Sequence, residues 1–377
     1  MRVAELTLAN FRNYERLSLA FQPGLTVLFG RNAQGKTNVL EATYLLASGS
    51  SYRAAAEREV IRWQATPEDR LARAAAVIQP EAIEIEAVIA AIPGLPSKRV
   101  LVNGAGKRLV DFAGRLAAVL FGPEQLDLVT GSPSVRRAYL DEALTQIDRP
   151  YLRALTTYTR VLAQRNQLLK QFRERDVSLE ELIYWDGQLI ETGSVILRQR
   201  ARALIGLAQL CARRHAALAP GGGELTLAYE TKLFRDEGGW PRLAESELPS
   251  IETEFRRRLA MEAAREQAQG VTVVGPHRDD LLLAIDGQPA DKFGSRGQQR
   301  TAALALKLGE LDLIRDSTGH APVLLLDDVL SELDESRRLA LGEAIREQEQ
   351  VLLTATDLPD LPAAAAYQVD AGTLTPA

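Results

Sequence analysis

The sequence predicts an α/β protein with two lobes, one built around a mixed β-sheet and one mainly helical. Two apolar runs, residues 25–29 and 322–326, predict buried strands, and each is followed by residues that bind phosphate or metal. Between them, long stretches have helical spacing of apolar residues. A chain of 377 residues is long enough for two cores. We therefore expect one lobe from residues 1–122 and 270–377, and a helical lobe from residues 123–269.

The first apolar run leads into a phosphate-binding pattern, G-x-x-x-x-G-K-[ST], at residues 30–37. A strand before it and a helix after it are the context that a P-loop requires. Backbone N–H groups in such a loop point at a triphosphate, and the helix N-terminus favours negative charge. Lys36 is expected to reach the β- and γ-phosphates, and Thr37 to hold Mg²⁺. The expected ATP contacts here are Gly30, Arg31, Asn32, Ala33, Gln34, Gly35, Lys36, Thr37 and Asn38.

The second apolar run ends in two carboxylates, Asp327 and Asp328. A strand buried in a parallel sheet ends at the nucleotide in P-loop proteins, so Asp327 is the expected Mg²⁺ residue. Asp328 would face the attacking water and is the candidate general base. The alternative is an acidic turn after a core strand. The P-loop on the same chain favours the catalytic interpretation.

The remaining pattern predicts antiparallel strands near the N-terminus and long helices in the middle of the chain. Residues 83–89 alternate apolar with polar, and residues 99–104 end in Asn103-Gly104, a hairpin signal. Residues 271–274 and 281–285 are further expected strands. A helix from about residue 178 to 218 has two columns of apolar residues every seven positions. This helix is either one side of a bundle or a coiled-coil segment.

Composition excludes several classes of protein. The charged fraction is 25% and the net charge −5, so any DNA-binding surface must be local. Cys211 is the only cysteine, which excludes an intrachain disulfide and fits a reducing cytoplasm. No run approaches the roughly 20 apolar residues of a membrane span, and we expect no membrane association.

Arginines concentrate in the helical segment, where they predict a surface for double-stranded DNA. The arginine fork can grip two phosphate oxygens, and few aromatic residues accompany these arginines for stacking on single strands. Solvated helix surface is the alternative. The arginines expected to contact DNA are Arg136, Arg137, Arg165, Arg213 and Arg214. The turn at His277-Arg278 either couples the two lobes, contacts DNA, or is capped by its own side chains, with His277 only hydrogen-bonded.

Two motifs give the chain a resemblance to ABC-type ATPases. Residues 295–298, Ser-Arg-Gly-Gln, resemble the signature S-x-G-Q, and residues 331–334, Ser-Glu-Leu-Asp, resemble the D-loop. In that superfamily the signature contacts the γ-phosphate bound by the other subunit. The resemblance therefore implies an ATP-dependent homodimer with ATP sandwiched between subunits. The residues that it places in trans on ATP are Ser295, Gly297, Gln298 and Asp334.

Further segments are residues 10–14 (Asn-Phe-Arg-Asn-Tyr), 121–124, 131–137, 164–166 and 275–280. Through these segments and the motifs above, the chain resembles SMC and Rad50 heads at both ends, and the RecF family along nearly its whole length. The family implies that Arg12 contacts ATP. It also implies binding of double-stranded and gapped DNA, action with RecO and RecR, RecA loading at gaps, and roles in replication, repair and the SOS response. ATP hydrolysis is expected to be weak and DNA-stimulated, and to dissociate the dimer.

The chain departs from transporter-type members of the superfamily. Thr354 and Thr356 occupy the region of the switch histidine, and Asp328 replaces a glutamate. Whether Gln125 serves as a Q-loop glutamine is open. Two alternative functions remain: a nucleotide-binding subunit of a transporter, and a short SMC- or Rad50-like structural ATPase. The threonines and the helical insert argue against the first, and the absence of a second long heptad segment argues against the second.

Overall fold

The computed structural model describes residues 1–66, 69–171, 179–234, 239–332 and 335–377. The chain forms two compact units: residues 1–125 with 303–377, and residues 126–302. The units differ from the expected lobes chiefly in residues 270–302, which pack with the second unit because strand 280–285 pairs with strand 225–230. The division into functional lobes stays a prediction.

The strands and α-helices of the described residues are numbered in chain order. The strands are β1 (Arg2–Phe11), β2 (Tyr14–Ala20), β3 (Gly24–Phe29), β4 (Leu71–Gln79), β5 (Ile83–Ala90), β6 (Lys98–Val102), β7 (Ala105–Lys107), β8 (Ala118–Phe121), β9 (Leu225–Glu230), β10 (Asp280–Ile285), β11 (Gln288–Pro289), β12 (Val323–Asp327), β13 (Gln350–Ala355), β14 (Ala365–Asp370) and β15 (Thr373–Pro376). The helices are α1 (Lys36–Ser48), α2 (Leu109–Phe112), α3 (Asp127–Thr130), α4 (Pro133–Ile147), α5 (Arg149–Gln171), α6 (Leu179–Leu218), α7 (Gly239–Glu245), α8 (Leu248–Gln269), α9 (Ala290–Phe293), α10 (Arg296–Thr318) and α11 (Glu335–Arg346).

The first unit contains two sheets. One is antiparallel, in the order β2-β1-β4-β5-β6-β7, and the predicted hairpin at Asn103-Gly104 joins its last two strands. Helix α1 packs against this sheet, and its Val39 and Leu40 belong to the same core as Leu6 and Ile85. Burial of this apolar face is the main stabilising contribution to the unit.

The second sheet of the first unit is mixed, in the order β15-β14-β3-β13-β12-β8. Strands β14, β3, β13, β12 and β8 run parallel, and β15 pairs antiparallel with β14. Every residue of β12 is buried, as its apolar run predicts. Because β3 and β12 flank β13, the P-loop and Asp327 both follow the carboxyl edge of the sheet, where ligands bind in such folds.

The second unit is mainly helical with a small antiparallel sheet, β11-β10-β9. Helix α6 packs against α5, α7, α8 and β9, so the bundle interpretation of its apolar columns is confirmed. Ile183, at the start of one column, is 66% exposed, whereas Leu189 and Leu197 further along are buried. The strand expected at 271–274 is absent. There, the Thr272 N–H donates to the Asn166 side chain and the Thr272 carbonyl accepts from the Arg278 side chain, so neither group pairs with a neighbouring strand.

Candidate nucleotide-binding site

The P-loop connects β3 to α1 in a conformation that its glycines permit. Gly30 and Gly35 have φ of 140° and 115°, where a residue with a Cβ is strained. A Cβ on Gly35 would also lie 2.5 Å from the Asn13 side chain, whose amide donates to the Gln34 carbonyl at 2.8 Å. The segment after β1 therefore holds the loop in place from outside.

Lys36 is the first residue of α1 and is only 6% exposed. Its Nζ donates to the carbonyl oxygens of Gly30 at 2.5 Å and Arg31 at 2.9 Å. Burial lowers the pKa of Lys36, and the carboxylates of Asp328 and Asp327 act in the opposite direction. The ammonium group thus sits inside the loop on neutral acceptors, within the field of two carboxylates.

The Asp327 carboxylate accepts hydrogen bonds from hydroxyl groups in three parts of the first unit. Its Oδ1 accepts from Thr37 Oγ1 and from Thr354 Oγ1, both at 2.8 Å. Its Oδ2 accepts from the Tyr52 hydroxyl at 3.3 Å. Burial, followed by the Asp327 charge, raises the pKa of Tyr52, so this phenol remains a donor at neutral pH. The P-loop, β13 and the loop that contains Tyr52 therefore converge on the carboxylate at the end of β12.

Asp328 follows directly, with a φ of 54° that is uncommon for a non-glycine residue. Its backbone N–H donates to Thr354 Oγ1 at 2.9 Å. One hydroxyl, on β13, therefore contacts both residues of the acidic pair. Thr354, in the region of the switch histidine, uses a single oxygen both to accept from the Asp328 N–H and to donate to Asp327, whereas a neutral imidazole would need its two separate nitrogens for these roles.

Arg12 has φ of 54° and an ion pair with the buried Glu41 of α1. Its Nε and Nη2 contact the two Glu41 oxygens at 2.9 and 2.5 Å, and Nη1 donates to the Glu59 carbonyl at 2.8 Å. The structure thus places this expected ATP residue beside the P-loop helix with its guanidinium held by the protein.

The signature residues lie at the N-terminus of α10, in the second unit. Ser295 is exposed, and its Oγ accepts the Gln298 N–H at 3.3 Å while Gln298 Oε1 accepts the Ser295 N–H at 2.9 Å. This reciprocal pair is a capping box. Gly297 occupies the second helical position of α10. A capped, exposed helix N-terminus is suited to an anion.

Two other expected residues are less fully described. Asp334 lies outside the described residues. Gln125 follows β8, and its Nε2 is buried without an acceptor among the residues that the structure describes.

The structure argues against DNA contacts by Arg136 and Arg165, because both guanidinium groups are buried in ion pairs, and their role at DNA stays a prediction. Arg136 grips both oxygens of Asp280 at 2.7 Å. Arg165 is 2% exposed and contacts Asp186 at 2.7 Å and Glu266 at 2.6 Å. Neither group is available to a phosphate.

The other three predicted DNA contacts differ in exposure. Arg137 is half-buried and donates to the Asp279 carbonyl at 2.7 Å, whereas Arg213 on α6 is exposed and Arg214 half-buried. For His277 the structure favours the structural role over DNA contact. Its Nδ1 contacts the Tyr158 hydroxyl at 2.6 Å and its Nε2 contacts the Thr272 carbonyl at 3.1 Å.

Sequence reasoning missed Tyr52 and Glu41. Tyr52 lies in a polar loop, and its contact with Asp327 joins positions 275 apart. Glu41 lies on α1 among apolar residues, and a fully buried carboxylate there requires a cationic partner. A charged residue on the apolar side of the P-loop helix was the available signal.

The oxygen donors at this site fit Mg²⁺. Thr37 Oγ1 and Asp327 Oδ1 are 2.8 Å apart, and Mg²⁺ bound to ATP takes one or two protein oxygens beside phosphates and water. Among the described residues no cluster of three or more His, Cys, Asp or Glu could hold a metal by itself. In the same part of the chain no helix is long and apolar enough to cross a membrane.

The family model described as "RecF/RecN/SMC N terminal domain" matches residues 2–367. DNA replication and repair protein RecF of Roseiflexus castenholzii is 42% identical, with all of both chains aligned. RecF of Symbiobacterium thermophilum is 43% identical over 96% of this chain and 93% of its own.

Solved structures agree with the predicted fold. The recombination mediator protein RecF-ATPrS in the RecFOR pathway superposes with a TM-score of 0.89 and 30% identity, over 100% of this chain and 98% of its own. An SMC head superposes with a TM-score of 0.53 at 16% identity, over 100% of this chain and 98% of its own, which shows the fold alone. The prediction of an ABC-type head without a long coiled coil is confirmed, and the chain belongs to the RecF family of DNA replication and repair proteins.

Proposed function

We propose that this chain is a recombination mediator that binds ATP, dimerises on it, and in that state binds double-stranded or gapped DNA in the cytoplasm. With RecO and RecR it would promote RecA loading at gaps. The proposal that the chain binds ATP rests on one observation: the Thr37 hydroxyl donates to the Asp327 carboxylate at 2.8 Å, beside a buried Lys36. The DNA and partner parts are supported by family membership, including relatives named for DNA replication and repair.

Each residue of the site has a proposed role. The loop from Gly30 to Asn38 cradles the phosphates, Lys36 exchanges its carbonyl acceptors for phosphate oxygens, and Thr37 with Asp327 holds Mg²⁺. Bound Mg²⁺ would neutralise charge on the β- and γ-phosphates. Asp328 orients and deprotonates water, and Thr354 fixes its backbone. The site of the other subunit is completed by Ser295, Gly297, Gln298 and Asp334. Arg12, beside the P-loop helix, contacts the ATP of its own subunit.

Dimerisation converts ATP binding into DNA binding. A ligand bound only by the dimer shifts the association equilibrium, so ATP and DNA would support each other. Hydrolysis removes the γ-phosphate that the partner's signature helix contacts, and the dimer would then dissociate. The shorter Asp328 side chain and the hydroxyl at position 354 are compatible with slow hydrolysis.

The experiment is phosphate release by the full chain with ATP and Mg²⁺, alone and with gapped duplex DNA. We expect slow release that DNA accelerates, and loss of release in Asp328→Asn with ATP binding retained. Release that persists in Asp328→Asn would contradict the role of that carboxylate. Absence of ATP binding by the wild type would contradict the whole proposal.

A further inference from the structure

A groove in the first unit carries an exposed tryptophan among arginines. We call it the Trp63 surface, defined by Arg58, Arg62, Trp63 and Arg70. The groove has a volume of about 460 Å³, and its lining also includes Arg12, Glu59, Ile61 and Ala91. Trp63 is 89% exposed. Tryptophan has a large, rigid apolar ring and is enriched at binding surfaces, so its exposure in this groove indicates a binding site.

Trp63 is held by a turn that is fixed to β1. The Arg62 N–H donates to the Asn10 carbonyl at 2.8 Å, and the Ala65 N–H donates to the Arg62 carbonyl at 3.1 Å across the turn. Phe11 and Ile61 form an antiparallel bridge beside it. The backbone that presents the ring is therefore ordered by the sheet, which lowers the entropic cost of binding.

The arginines of the Trp63 surface keep positive charge available. Arg58 and Arg70 are exposed and form no ion pair with the described residues. Arg62 contacts Glu15 at 3.2 Å, and its Nε is buried without an acceptor in the described part of the chain. Glu59 is the one carboxylate among the described residues of the groove lining, and its Oε2 accepts the Ala55 N–H at 3.0 Å; the lining arginines outnumber it, so an excess of positive charge remains. The groove therefore suits an anionic ligand with a flat ring.

We propose that the Trp63 surface binds a single DNA strand, with an unpaired base stacked on Trp63 and phosphates contacting Arg58 and Arg70. The inference rests on the proposed function and specifies which part of a gapped substrate this surface takes. Every base has a face that stacks on an aromatic ring, and arginine matches phosphate geometry. Bases inside a duplex are already stacked on both faces, and exposing one costs unpairing energy. A duplex therefore fits this surface poorly.

The test measures binding of the full-length protein to fluorescein-labelled oligo(dT) and to a blunt duplex of equal length, by anisotropy at low salt. We expect Trp63→Ala to weaken oligo(dT) binding about tenfold and Trp63→Phe to weaken it less than about threefold. Duplex binding should change less than about twofold. Tyr184→Ala, which removes another exposed aromatic side chain, should bind like the wild type.

The arginines are tested by salt dependence. Arg58→Gln and Arg70→Gln should each reduce the slope of log affinity for oligo(dT) against log salt by about 0.7, the value for one phosphate contact on a single strand. Arg153→Gln, an exposed arginine of α5, is the control. Thermal unfolding of each variant verifies folding.

Unchanged oligo(dT) binding in Trp63→Ala would overturn the inference and assign Trp63 to a protein partner. An equal loss for duplex and oligo(dT) would also overturn it, because stacking on an unpaired base would not be the contact. If the wild type binds ATP-dependently to duplex while Trp63→Ala is unaffected on oligo(dT), only this inference fails. If the wild type binds no DNA with or without ATP, the proposed function fails with it.

Discussion

Buried charge is treated differently at the P-loop and in the helical unit. At the P-loop, the Lys36 ammonium contacts backbone carbonyls and the Asp327 carboxylate contacts hydroxyl groups. In the helical unit, Arg165 is matched directly to Glu266, and Arg136 to Asp280. Charges held by neutral partners can be transferred to a ligand without breaking an ion pair. In the helical unit, charges held by opposite charges stabilise the fold. Arg12 is an intermediate case, since it is paired with the buried Glu41 of α1 and is also an expected ATP contact.

This comparison explains why the arginine-rich helices were a poor guide to a DNA-binding surface. Arg165 and Arg136 lie on helices with the spacing of a solvated surface, yet each meets a carboxylate brought by a distant segment. Removing one partner of such a pair leaves the other buried and uncompensated, which is costly. Removing the Lys36 ammonium frees two backbone carbonyls that can rearrange and breaks no direct ion pair, although Asp327 and Asp328 lose a nearby positive charge. The predictions below separate these two situations.

The largest expected effect is on stability in the helical unit. Arg165→Met leaves Glu266 buried without its cation and should lower the free energy of unfolding by about 3–5 kcal/mol. Chemical denaturation measures the change. Arg213→Met, on the exposed side of α6, should stay within about 0.5 kcal/mol of the wild type. A stable Arg165→Met protein with impaired DNA binding would restore Arg165 as a DNA contact.

The second effect is on activity and leaves stability nearly unchanged. Lys36→Met removes the phosphate-binding cation, and we expect ATP hydrolysis to fall by about 10²–10³-fold. Burial already lowers the pKa of Lys36, so an apolar side chain of similar length should not destabilise the fold. Phosphate release and thermal unfolding measure the two quantities. Lys107→Met, an exposed lysine on β7, is the control. A large loss of stability in Lys36→Met would break the comparison.

Tyr52→Phe tests the third hydroxyl on Asp327. Losing the 3.3 Å contact should raise the Mg²⁺ concentration needed for half-maximal hydrolysis by about tenfold, since groups that orient a metal ligand have effects of this size. The rate at saturating Mg²⁺ should change less. Tyr367→Phe, on β14, controls for loss of a phenol. An unchanged Mg²⁺ dependence would show that two threonines are enough to position Asp327.

The smallest effect is a change in pH dependence in the helical unit. Burial raises the pKa of Asp279 to about 7 and lowers the pKa of His277 to about 4. Between about pH 4 and 6.5 the folded state holds a proton on Asp279 that the unfolded state loses, so this group makes stability fall as pH rises. His277 acts oppositely, because the unfolded state binds the proton and stability rises with pH.

Two variants separate these opposed contributions. Relative to the wild type, Asp279→Asn should make the free energy of unfolding rise more steeply with pH in this window, and His277→Gln should make it rise less steeply or fall. Chemical denaturation at several pH values gives the slopes. Slopes that shift in the same direction for both variants would contradict the assignment.

The parts of the site that the structure brings together as expected depend on local sequence. The P-loop and the strand that ends at Asp327 are each contained in about ten residues with a diagnostic pattern, and the parallel order β3-β13-β12 brings them together. Apolar columns likewise predicted α6 to within a residue of its described start. Side-chain types and spacing were sufficient for these elements.

The parts that were missed depend on long-range contacts. Arg165 and Glu266 are 101 positions apart, and nothing in either segment indicates the other. Residues 271–274 have strand-forming side chains, but Asn166 and Arg278 occupy the backbone groups of Thr272 that a ladder would need. Tertiary hydrogen bonds here outweighed local β-propensity.

The central claim is that the signature helix contacts ATP bound by a second copy. Its most direct test is light scattering of the wild type and Ser295→Asp with and without ATP and Mg²⁺. Aspartate caps a helix as well as serine, so the variant should keep its stability, while its negative charge would repel a γ-phosphate. We predict that ATP converts the wild type to a dimer and leaves Ser295→Asp monomeric. Equal ATP-dependent dimerisation of the two proteins would contradict the account.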